Sequence, residues 1–457
     1  MSKTHLADWD SLFRSYDIRG IYGTQLMAED AKTLGEAISL NQGKASEVVV
    51  GRDVRLSGDA LKEGLESGLL LQSDVIDVGV VSTPMLYYAT NYFKKNSGVM
   101  ITASHNPPEW NGFKLFKQNG CVHGDEMNRI KQIAKEIPKQ KTSPSTGKVL
   151  IVENFFEKYA DFVTAKIQVQ RKLNVVADTS NGVCGIFIPS LFKRQGCSIF
   201  TLNEKPDGHF PAHKPEPKEE TLGELKQRVL EKNADFGVGY DGDGDRAVFV
   251  DDKGRLIPSD LALLIFAQDI LADHKGASIV YELSCSMAIE EFVRQYGGNP
   301  VVERVGHTFI MDRMLSEKAP LGGEKSGHFY FSETNGGDDA IFASLKMAEI
   351  LSKSKRSLSQ LYDALPKYPS IFEINFSVPD EKKFKAIEQM KSDFEKQGLK
   401  FLGVDGVKLI EKDGWVLVRA SNTEPVIRVS AEARTKQKLD QIYEFAKTEL
   451  EKAVREI

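Results

Sequence analysis

The stretch that decides the fold runs from Val48 to Val81, VVVGRDVRLSGDALKEGLESGLLLQSDVIDVGVV. It begins with the β-branched run Val48–Val50, continues through the polar loop Gly51–Asp53, and becomes helix-like from about Ser57. A second strand-like run follows at Val75–Val81. A strand, a helix-length segment and a further strand in succession predict an α/β unit.

The same order occurs twice more along the chain. In the second copy Val175–Val176 leads into the polar loop Asp178–Gly182, and Gly196–Phe200 is the return strand. In the third copy Ile279–Tyr281 is the first strand, and the return strand lies within Gly298–Val305. Three copies predict three related α/β domains rather than one large sheet.

The chain after about Lys367 follows a different pattern. Its predicted elements are a strand at Ile371–Val378, a helix at Glu381–Lys396, a hairpin of Val407–Ile410 and Trp415–Val418, a strand at Val426–Ala431, and a last helix with Leu439, Ile442, Tyr443, Ala446 and Leu450 on one face. This tail predicts a small α+β domain. With the polar segment 138–148 taken as a linker, the predicted domains are 1–147, 148–253, 254–367 and 368–457.

Composition excludes several classes of protein. The 457 residues are 41% hydrophobic and 27% charged, which is ordinary for a globular protein and argues against wholesale disorder. With 60 basic and 65 acidic residues, the net charge of −5 provides no basic field for nucleic acid or an anionic membrane. Four cysteines without a CxxC pair, and no signal-like or membrane-spanning run, predict a cytoplasmic protein.

The segment Asp241-Gly-Asp-Gly-Asp-Arg246 is the strongest chemical signal. Its three carboxylates alternate with glycines, so a sharply turning backbone can aim all of them at one hard divalent cation. An EF-hand loop fits badly, because Arg246 stands where that loop needs Gly and Asp252 where it needs Glu. An acidic turn between strands is the structural alternative. Mg²⁺ beside Arg246 would suit a phosphate.

Ser104 lies in a second candidate segment, Thr102–Pro107, which follows an apolar strand-like run. The neighbouring His105 is expected to be a poor base for it, since adjacent side chains usually diverge. A polar turn closed by Asn-Pro is the alternative for this segment alone. Downstream, Lys114 adds an ammonium group. A serine, a carboxylate triad and a cation together suggest phosphoryl transfer.

Two further loops are weaker signals. Gly322–His328 carries Glu324, Ser326 and His328, which can hydrogen-bond to hydroxyls and exchange a proton, although for this segment alone a surface turn is the favoured interpretation. Arg419–Thr423 follows a strand and can cradle a phosphate, with a polar turn as the alternative. Arg19 and His307 each stand beside a glycine and would be unremarkable alone.

Taken in order, these segments resemble the α-D-phosphohexomutase superfamily over nearly the whole chain. The matching blocks are FRSYDIRG around Arg19, TASHNP around Ser104, DGDGDR, GGEKSGH, RASNTEP and DGHFPAHKPEP at 207–217, the last without an assigned role for His209 or His213. The first and fourth blocks are similar to those of the phosphomannomutase/phosphoglucomutase group. The resemblance implies a central cleft among three mixed α/β domains and a C-terminal TATA-binding-protein-like α+β domain.

The resemblance also implies a mechanism. Ser104 would be phosphorylated and would bind one Mg²⁺ together with Asp241, Asp243 and Asp245. It would donate its phosphoryl group to the 1- or 6-hydroxyl of a mannose or glucose phosphate. The resulting hexose 1,6-bisphosphate, which is also the expected activator, would reorient in the site and return its other phosphate to Ser104.

Roles for the remaining residues follow from the same resemblance. Glu324 and Ser326 would contact the sugar 3- and 4-hydroxyls. Arg19, Lys114 and Arg246 would neutralise the reacting phosphate, and Lys114, His307 or His328 would move the hydroxyl proton. The non-transferring phosphate would be held by Arg419, Ser421, Asn422 and Thr423.

Two departures from the residue pattern of the bifunctional group leave the identity of the substrate undecided. Lys325 stands where Met is common in the bifunctional group, and Glu282–Cys285 lacks a basic residue that some members carry. Phosphoglucosamine mutase is therefore the first alternative, followed by a sugar-phosphate phosphatase and a non-enzymatic sensor.

Expected partners are small-molecule hexose phosphates, with no nucleic acid and no membrane, and the protein is expected to be a monomer or dimer. A hinge near Tyr368 is a further hypothesis.

Overall fold

The first sequence copy folds into a seven-stranded sheet. The computed structural model describes residues 7–43, 46–138, 145–421 and 425–457. The elements of this part are α1 (Trp9–Leu12), β1 (Asp17–Ile21), α2 (Ala28–Gln42), β2 (Glu47–Arg52), α3 (Gly58–Leu69), β3 (Asp74–Val80), α4 (Thr83–Tyr92), β4 (Gly98–Ile101), β5 (Trp110–Lys117), β6 (Gly120–Cys121), α5 (Gly124–Glu136) and β7 (Val149–Ile151). The strand order is β1-β5-β4-β2-β3-β7, with β6 paired to β5.

The second copy forms a five-stranded sheet in the order β12-β11-β10-β8-β9. Its elements are α6 (Phe155–Thr164), β8 (Asn174–Asp178), α7 (Cys184–Arg194), β9 (Ser198–Leu202), α8 (Gly223–Glu231), β10 (Phe236–Tyr240), β11 (Ala247–Asp251) and β12 (Leu256–Ile257). All five residues of β10 are buried, as in a strand covered by helices on both faces.

The third copy contributes the parallel strands β14-β13-β15. The elements from here to the tail are α9 (Ser259–Asp273), β13 (Ser278–Glu282), α10 (Ala288–Gln295), β14 (Asn299–Glu303), α11 (His307–Glu317), β15 (Leu321–Gly323), β16 (Phe329–Phe331), α12 (Ala340–Lys353) and α13 (Leu358–Asp363).

The three copies share one topology, which confirms the predicted repeat. In each, the first strand lies between two parallel partners: β2 between β3 and β4, β8 between β9 and β10, and β13 between β14 and β15. The carboxyl ends of parallel strands meet at one edge of a sheet, which is where open α/β sheets bind ligands. The loops after β4 and β10 therefore start from the edges that favour a site.

The tail folds as predicted into an antiparallel sheet with two long helices. Its elements are β17 (Ser370–Ser377), α14 (Asp380–Lys396), β18 (Phe401–Leu402), β19 (Val407–Glu411), β20 (Gly414–Ala420), β21 (Val426–Ala433) and α15 (Lys436–Glu456). The strand order is β17-β21-β20-β19-β18. Glu411 pairs with Gly414, so Lys412 and Asp413 form the expected hairpin turn. Apolar residues of both helices pack in one core with this sheet.

Two compact units divide these elements. The first unit comprises residues up to 262 together with 326–363, and the second comprises 263–325 and 364–457. The four predicted domain boundaries remain a prediction. The four cysteines are buried, and no disulfide joins them to each other. Within the described part of the chain, no helix combines the length and the apolar character needed to cross a membrane.

Candidate active site

The acidic loop, Asp241–Arg246, lies between the antiparallel strands β10 and β11, where Tyr240 pairs with Ala247. Asp241 organises this loop, because its Oδ1 accepts hydrogen bonds from the backbone N–H groups of Gly244, Asp245 and Arg246 at 3.0, 3.1 and 3.1 Å. Gly244 has a φ of +78°, a conformation that L side chains rarely adopt. Gly244 thus allows the sharp turn expected from the sequence.

The three carboxylates of this loop form a metal-binding cluster. Asp241, Asp243 and Asp245 are fully buried, and one oxygen from each lies within 4.8 Å of the others. Oδ1 of Asp243 and Oδ1 of Asp245 have no hydrogen-bond partner among the described residues. Buried, unsatisfied carboxylate oxygens are costly unless a cation compensates them. The donor set fits a hard divalent cation such as Mg²⁺.

Lys114 already compensates part of this charge. Its Nζ, on β5, hydrogen-bonds to Asp245 and lies 3.0 Å from Oδ2 of Asp243. Burial opposes the charged lysine, but the carboxylates dominate and raise the pKa of Lys114 above its usual range. Burial likewise opposes ionisation of Asp245, yet Lys114 holds the pKa of that carboxyl well below its usual value. Lys114 is thus a permanently charged ammonium.

Ser104 lies beside the cluster, in the loop that follows β4. Its Oγ donates a hydrogen bond to Oδ2 of Asp241 at 2.8 Å. The same oxygen lies 3.1 Å from Nδ1 of His105, so the expected divergence of these adjacent side chains was wrong. The cause is the left-handed backbone of Ser104, with a φ of +53°. Burial lowers the pKa of His105 well below its usual value.

Arg19, on β1, contacts the serine loop, which is the segment 102–109 between β4 and β5. Its Nη1 donates to Oδ1 of Asn106 at 2.6 Å, while Nε and Nη2 donate to Oδ2 of Asp17 at 2.8 and 2.7 Å. The predicted cation is therefore brought to the Ser104 loop. Asn106 had no assigned role in the sequence, although it lies within the block TASHNP that pointed to the serine.

His328 connects Arg246 with the carboxylate of Asp338, to which the sequence assigned no role in the site. Its Nε2 accepts a hydrogen bond from Nε of Arg246 at 2.9 Å, and its Nδ1 lies 2.8 Å from Oδ2 of Asp338. These partners assign the proton to Nδ1 and leave Nε2 as the acceptor. Nδ1 is also 3.8 Å from Oδ1 of Asp245. One unit therefore holds Ser104, the triad, Arg19, Lys114, Arg246 and His328.

The second unit holds a separate carboxylate cluster. Glu282 ends β13, and its Oε1 accepts hydrogen bonds from Oγ of Ser284 at 2.5 Å and from the N–H of Lys325 at 3.2 Å. Its Oε2 is buried without a hydrogen-bond partner among the described residues. Burial, reinforced by the neighbouring Glu324, raises the pKa of Glu282 to about 7.

The remaining predicted residues fall in different places. Arg419 donates from Nη2 to Oε1 of Glu373 at 3.0 Å. His307 is the first residue of α11 and is buried, as is Ser421. Ser326 is exposed and belongs to the first unit. Asn422 and Thr423 lie outside the described residues.

Comparison with known families accounts for all four parts of the chain. The family models of phosphoglucomutase/phosphomannomutase match with alpha/beta/alpha domain I at 10–141, domain II at 153–254, domain III at 258–368, and the C-terminal domain at 373–448. The match confirms the predicted four-domain architecture.

Individual relatives agree along almost the whole length. A phosphomannomutase/phosphoglucomutase of Pseudomonas putida is 40% identical over 96% of each chain, and a probable phosphoglucosamine mutase of Methanosarcina acetivorans is 36% identical over 97% of this chain and 100% of its own. The crystal structure of a phosphoglucomutase/phosphomannomutase family protein from Burkholderia thailandensis matches with a TM-score of 0.89 at 32% identity, over 98% of each chain. The chain therefore belongs to the phosphoglucomutase/phosphomannomutase family of phosphohexomutase enzymes.

Proposed function

We propose that the chain interconverts the 1-phosphate and 6-phosphate of mannose and of glucose, with Ser104 as the phosphoryl carrier and a hexose 1,6-bisphosphate as intermediate and activator. One observation carries this proposal: Oγ of Ser104 lies 2.8 Å from Oδ2 of Asp241, in a cluster where two further carboxylate oxygens are buried without a hydrogen-bond partner among the described residues. A nucleophilic oxygen beside a metal-binding triad suits phosphoryl transfer.

One Mg²⁺ would be held by Asp241, Asp243 and Asp245 together with the phosphorylated Ser104. Bound there, the ion would neutralise negative charge on the phosphoryl group. The chain itself contributes fixed positive charge, since Lys114 is held charged by Asp243 and Asp245. Arg19 and Arg246 present further guanidinium groups on the same unit, and such preorganised cations stabilise the transferring group.

The transfer itself exchanges one P–O bond for another. The bond from phosphorus to Oγ of Ser104 breaks, a bond to the sugar hydroxyl oxygen forms, and the hydroxyl proton moves to a protein base. Lys114 is a poor base, because its carboxylate partners raise its pKa. Among the candidates of the first unit, His328 is better arranged: Nε2 is the acceptor and Asp338 orients the ring, provided that Arg246 turns from Nε2 toward the phosphate. His307 remains the candidate of the second unit.

Substrate selection is assigned to the remaining predicted residues. Glu324 and Ser326 would bind the sugar 3- and 4-hydroxyls, which mannose and glucose share. The non-transferring phosphate would be bound by Arg419, Ser421, Asn422 and Thr423. Relative turnover of mannose, glucose and glucosamine 1-phosphates on the purified protein tests this assignment. A clear preference for glucosamine 1-phosphate would favour the alternative function, phosphoglucosamine mutase.

Ser104→Ala tests the phosphoryl carrier. The intact mass of the purified protein should lose one phosphate, and turnover should fall by at least about 10³-fold, as expected for removal of a covalent nucleophile. Ser180 offers a matched control, because it is also buried with a φ of +53° in the loop after β8. The variant Ser180→Ala should keep the phosphate mass. Full activity of Ser104→Ala would contradict the proposal.

A phosphatase would use the same serine and metal site with water as acceptor. Release of inorganic phosphate is therefore measured beside isomer formation, with and without hexose 1,6-bisphosphate. The mutase should form isomer in large excess over free phosphate, and the bisphosphate should stimulate it. Stoichiometric phosphate release without isomer would support the phosphatase instead.

A further inference from the structure

Arg55 is a buried cation whose main partners are backbone carbonyls of the serine loop. Its Nη2 donates to the carbonyl oxygens of Ser104 and Asn106 at 2.8 and 2.6 Å. Its Nη1 donates to the carbonyls of Pro107 and Trp110 at 2.7 and 2.8 Å. Only 1% of Arg55 is exposed. One guanidinium thus ties together four carbonyls spread over residues 104–110.

The serine loop needs such a tie because Ser104 has the left-handed φ of +53° and lies beyond the end of β4. A non-glycine residue in this region is strained unless its surroundings determine its conformation. Asp53 completes the support, since its carboxylate accepts from Oγ1 of Thr102 at 2.7 Å and from the N–H of Arg55 at 2.9 Å. Thr102 Oγ1 in turn accepts from the N–H of Ser104 at 2.8 Å.

The block DGHFPAHKPEP, to which the sequence assigned no role, supplies the other side of Arg55. The ring centroid of Phe210 lies 5.1 Å from Cζ of Arg55, within the range of a cation–π contact. A Cβ at Gly208 would come within 2.7 Å of the backbone of Val54 and Leu56, so the two loops touch directly. Phe210 is buried with a φ of +49°.

The absence of a side chain at Gly242 allows the acidic loop to pack against the backbone of Ser104. A Cβ at Gly242 would lie 2.6 Å from the carbonyl oxygen of Ser104, the same oxygen that Arg55 binds. The Ser104 carbonyl is therefore confined between Arg55 and the backbone of the loop that carries the triad. Small shifts of Arg55 would move Ser104 relative to Asp241.

We infer that Arg55, seated on Phe210, is a positioning residue that sets Ser104 at the carboxylate triad and so determines the rate of phosphoryl transfer. The inference rests on Ser104 being the phosphoryl carrier, as proposed above. Arg55 acts through the serine loop and does not itself touch the phosphoryl group. The planar guanidinium matters because it meets two pairs of carbonyls at once, which the ammonium group of lysine cannot reproduce.

The test compares Arg55→Lys and Phe210→Leu with the wild type, with turnover normalised to the phosphoserine content from intact mass. Misplacement of a reacting group by about 1 Å can cost on the order of 100-fold, so we expect Arg55→Lys to lower kcat per phosphorylated site about 10- to 100-fold. KM should stay within about threefold, since uniform substrate binding is unchanged. Phe210→Leu should lower kcat less, about three- to tenfold.

A double variant and a control complete the design. Because Phe210 acts through Arg55, the double variant should lose less than the product of the two single losses. Phe200→Leu is the matched control: Phe200 also stacks on cations, Arg228 and Lys232, but on β9 away from the serine loop. Its kcat should remain within about twofold of the wild type, as expected when no reacting group moves.

Three outcomes separate the possibilities. A merely structural role would reduce the amount of folded, phosphorylated protein and leave turnover per phosphorylated site unchanged, which would overturn the inference. If Arg55→Lys does not fold, Phe210→Leu with wild-type turnover per site would overturn it as well. Activity in Ser104→Ala would instead overturn the proposed function, so the two failures are distinguishable.

Discussion

Two buried lysines, one in each unit, show how differently the chain treats charge. Lys114 contacts the carboxylates of Asp243 and Asp245. Among the described residues Lys408 has no carboxylate contact of this kind: its Nζ donates to the carbonyl oxygen of Leu283 at 2.5 Å and lies 4.1 Å from the ring centroid of Trp415. The carboxylates raise the pKa of Lys114, whereas burial lowers the pKa of Lys408 to about 8.

The contrast extends to the carboxylates. In the first unit Lys114 holds Asp245 ionised, so the charge of this pair stays constant across the neutral range. In the second unit Glu282 has a pKa raised to about 7 by burial and by Glu324. The Lys114–Asp245 pair thus carries fixed charge, whereas Glu282, which accepts a hydrogen bond from the N–H of Lys325 in the loop assigned to the sugar, changes its charge with pH. Three variants test this difference.

Lys114→Met should have the largest effect. It leaves two buried carboxylates without their ammonium partner, and breaking a buried ion pair in this way typically costs about 3–5 kcal/mol. Urea unfolding of the first unit measures the loss. Added Mg²⁺ should restore part of the stability, because a cation at the triad compensates the same carboxylates.

The exposed pair Lys135–Asp10 provides the control, with Nζ–Oδ2 at 2.7 Å. Lys135→Met should cost no more than about 1 kcal/mol, as for surface ion pairs in general. Equal destabilisation by the two variants would show that the ion pair of Lys114 is not what stabilises the cluster, and no Mg²⁺ dependence in Lys114→Met would contradict a cation site at the triad.

The sequence predicted the carboxylate triad, but it did not by itself reveal the contacts that Ser104 makes. The triad was predictable because all three ligands lie within one short loop of alternate aspartates, and the strands were predictable from their β-branched runs. The contact of Ser104 with Asp241 joins residues 137 positions apart, and only the family resemblance brought them together. The Ser104–His105 contact was missed because it depends on a left-handed backbone that spacing does not reveal.

Arg55 and Lys408 were missed for a different reason. Both make their closest polar contacts with backbone carbonyls, and every residue carries a carbonyl, so no side-chain pattern in the sequence marks the partner. Lys408 lies in the predicted strand Val407–Ile410, where a lysine is ordinarily expected to face solvent. Its burial against Trp415 is decided by tertiary packing.

Lys408→Met should have an intermediate effect, visible as a change in pH dependence. The folded pKa of Lys408 is about 8, against 10.5 for a free lysine, so the unfolded chain binds the proton more tightly. Between these values the stability of the second unit should rise with pH, by about 3 kcal/mol for a shift of this size. In Lys408→Met this rise should be absent, and stability at pH 7 should equal or exceed that of the wild type.

The fluorescence of Trp415, which lies against Lys408, is expected to report this titration. A fluorescence transition near pH 8 in the wild type should disappear in Lys408→Met. Identical stability profiles of the two proteins between pH 8 and 10.5 would mean that Lys408 titrates as an ordinary lysine and that the contrast with Lys114 does not hold.

Glu282→Gln should have the smallest effect and the opposite sign. Glu282 has a folded pKa of about 7 against 4.5 for a free glutamate, so the folded state binds the proton more tightly between these values. Stability should therefore fall as pH rises from 4.5 to 7, and Gln, which cannot ionise, should abolish that fall. Because part of the raised pKa of Glu282 comes from its interaction with Glu324, we expect a difference of only about 1–2 kcal/mol at pH 7.5.

Urea unfolding followed by Trp415 fluorescence between pH 4.5 and 7.5 measures this difference in the second unit. The KM for hexose phosphate provides an independent measurement, since a carboxylate beside Glu324 that ionises near pH 7 should make sugar binding pH-dependent in the wild type and less so in Glu282→Gln. If both proteins lose stability equally over this range, Glu282 is not the titrating group. The second unit would then carry charge as constant as that of the Lys114 pair, and its pH dependence would have to come from other residues.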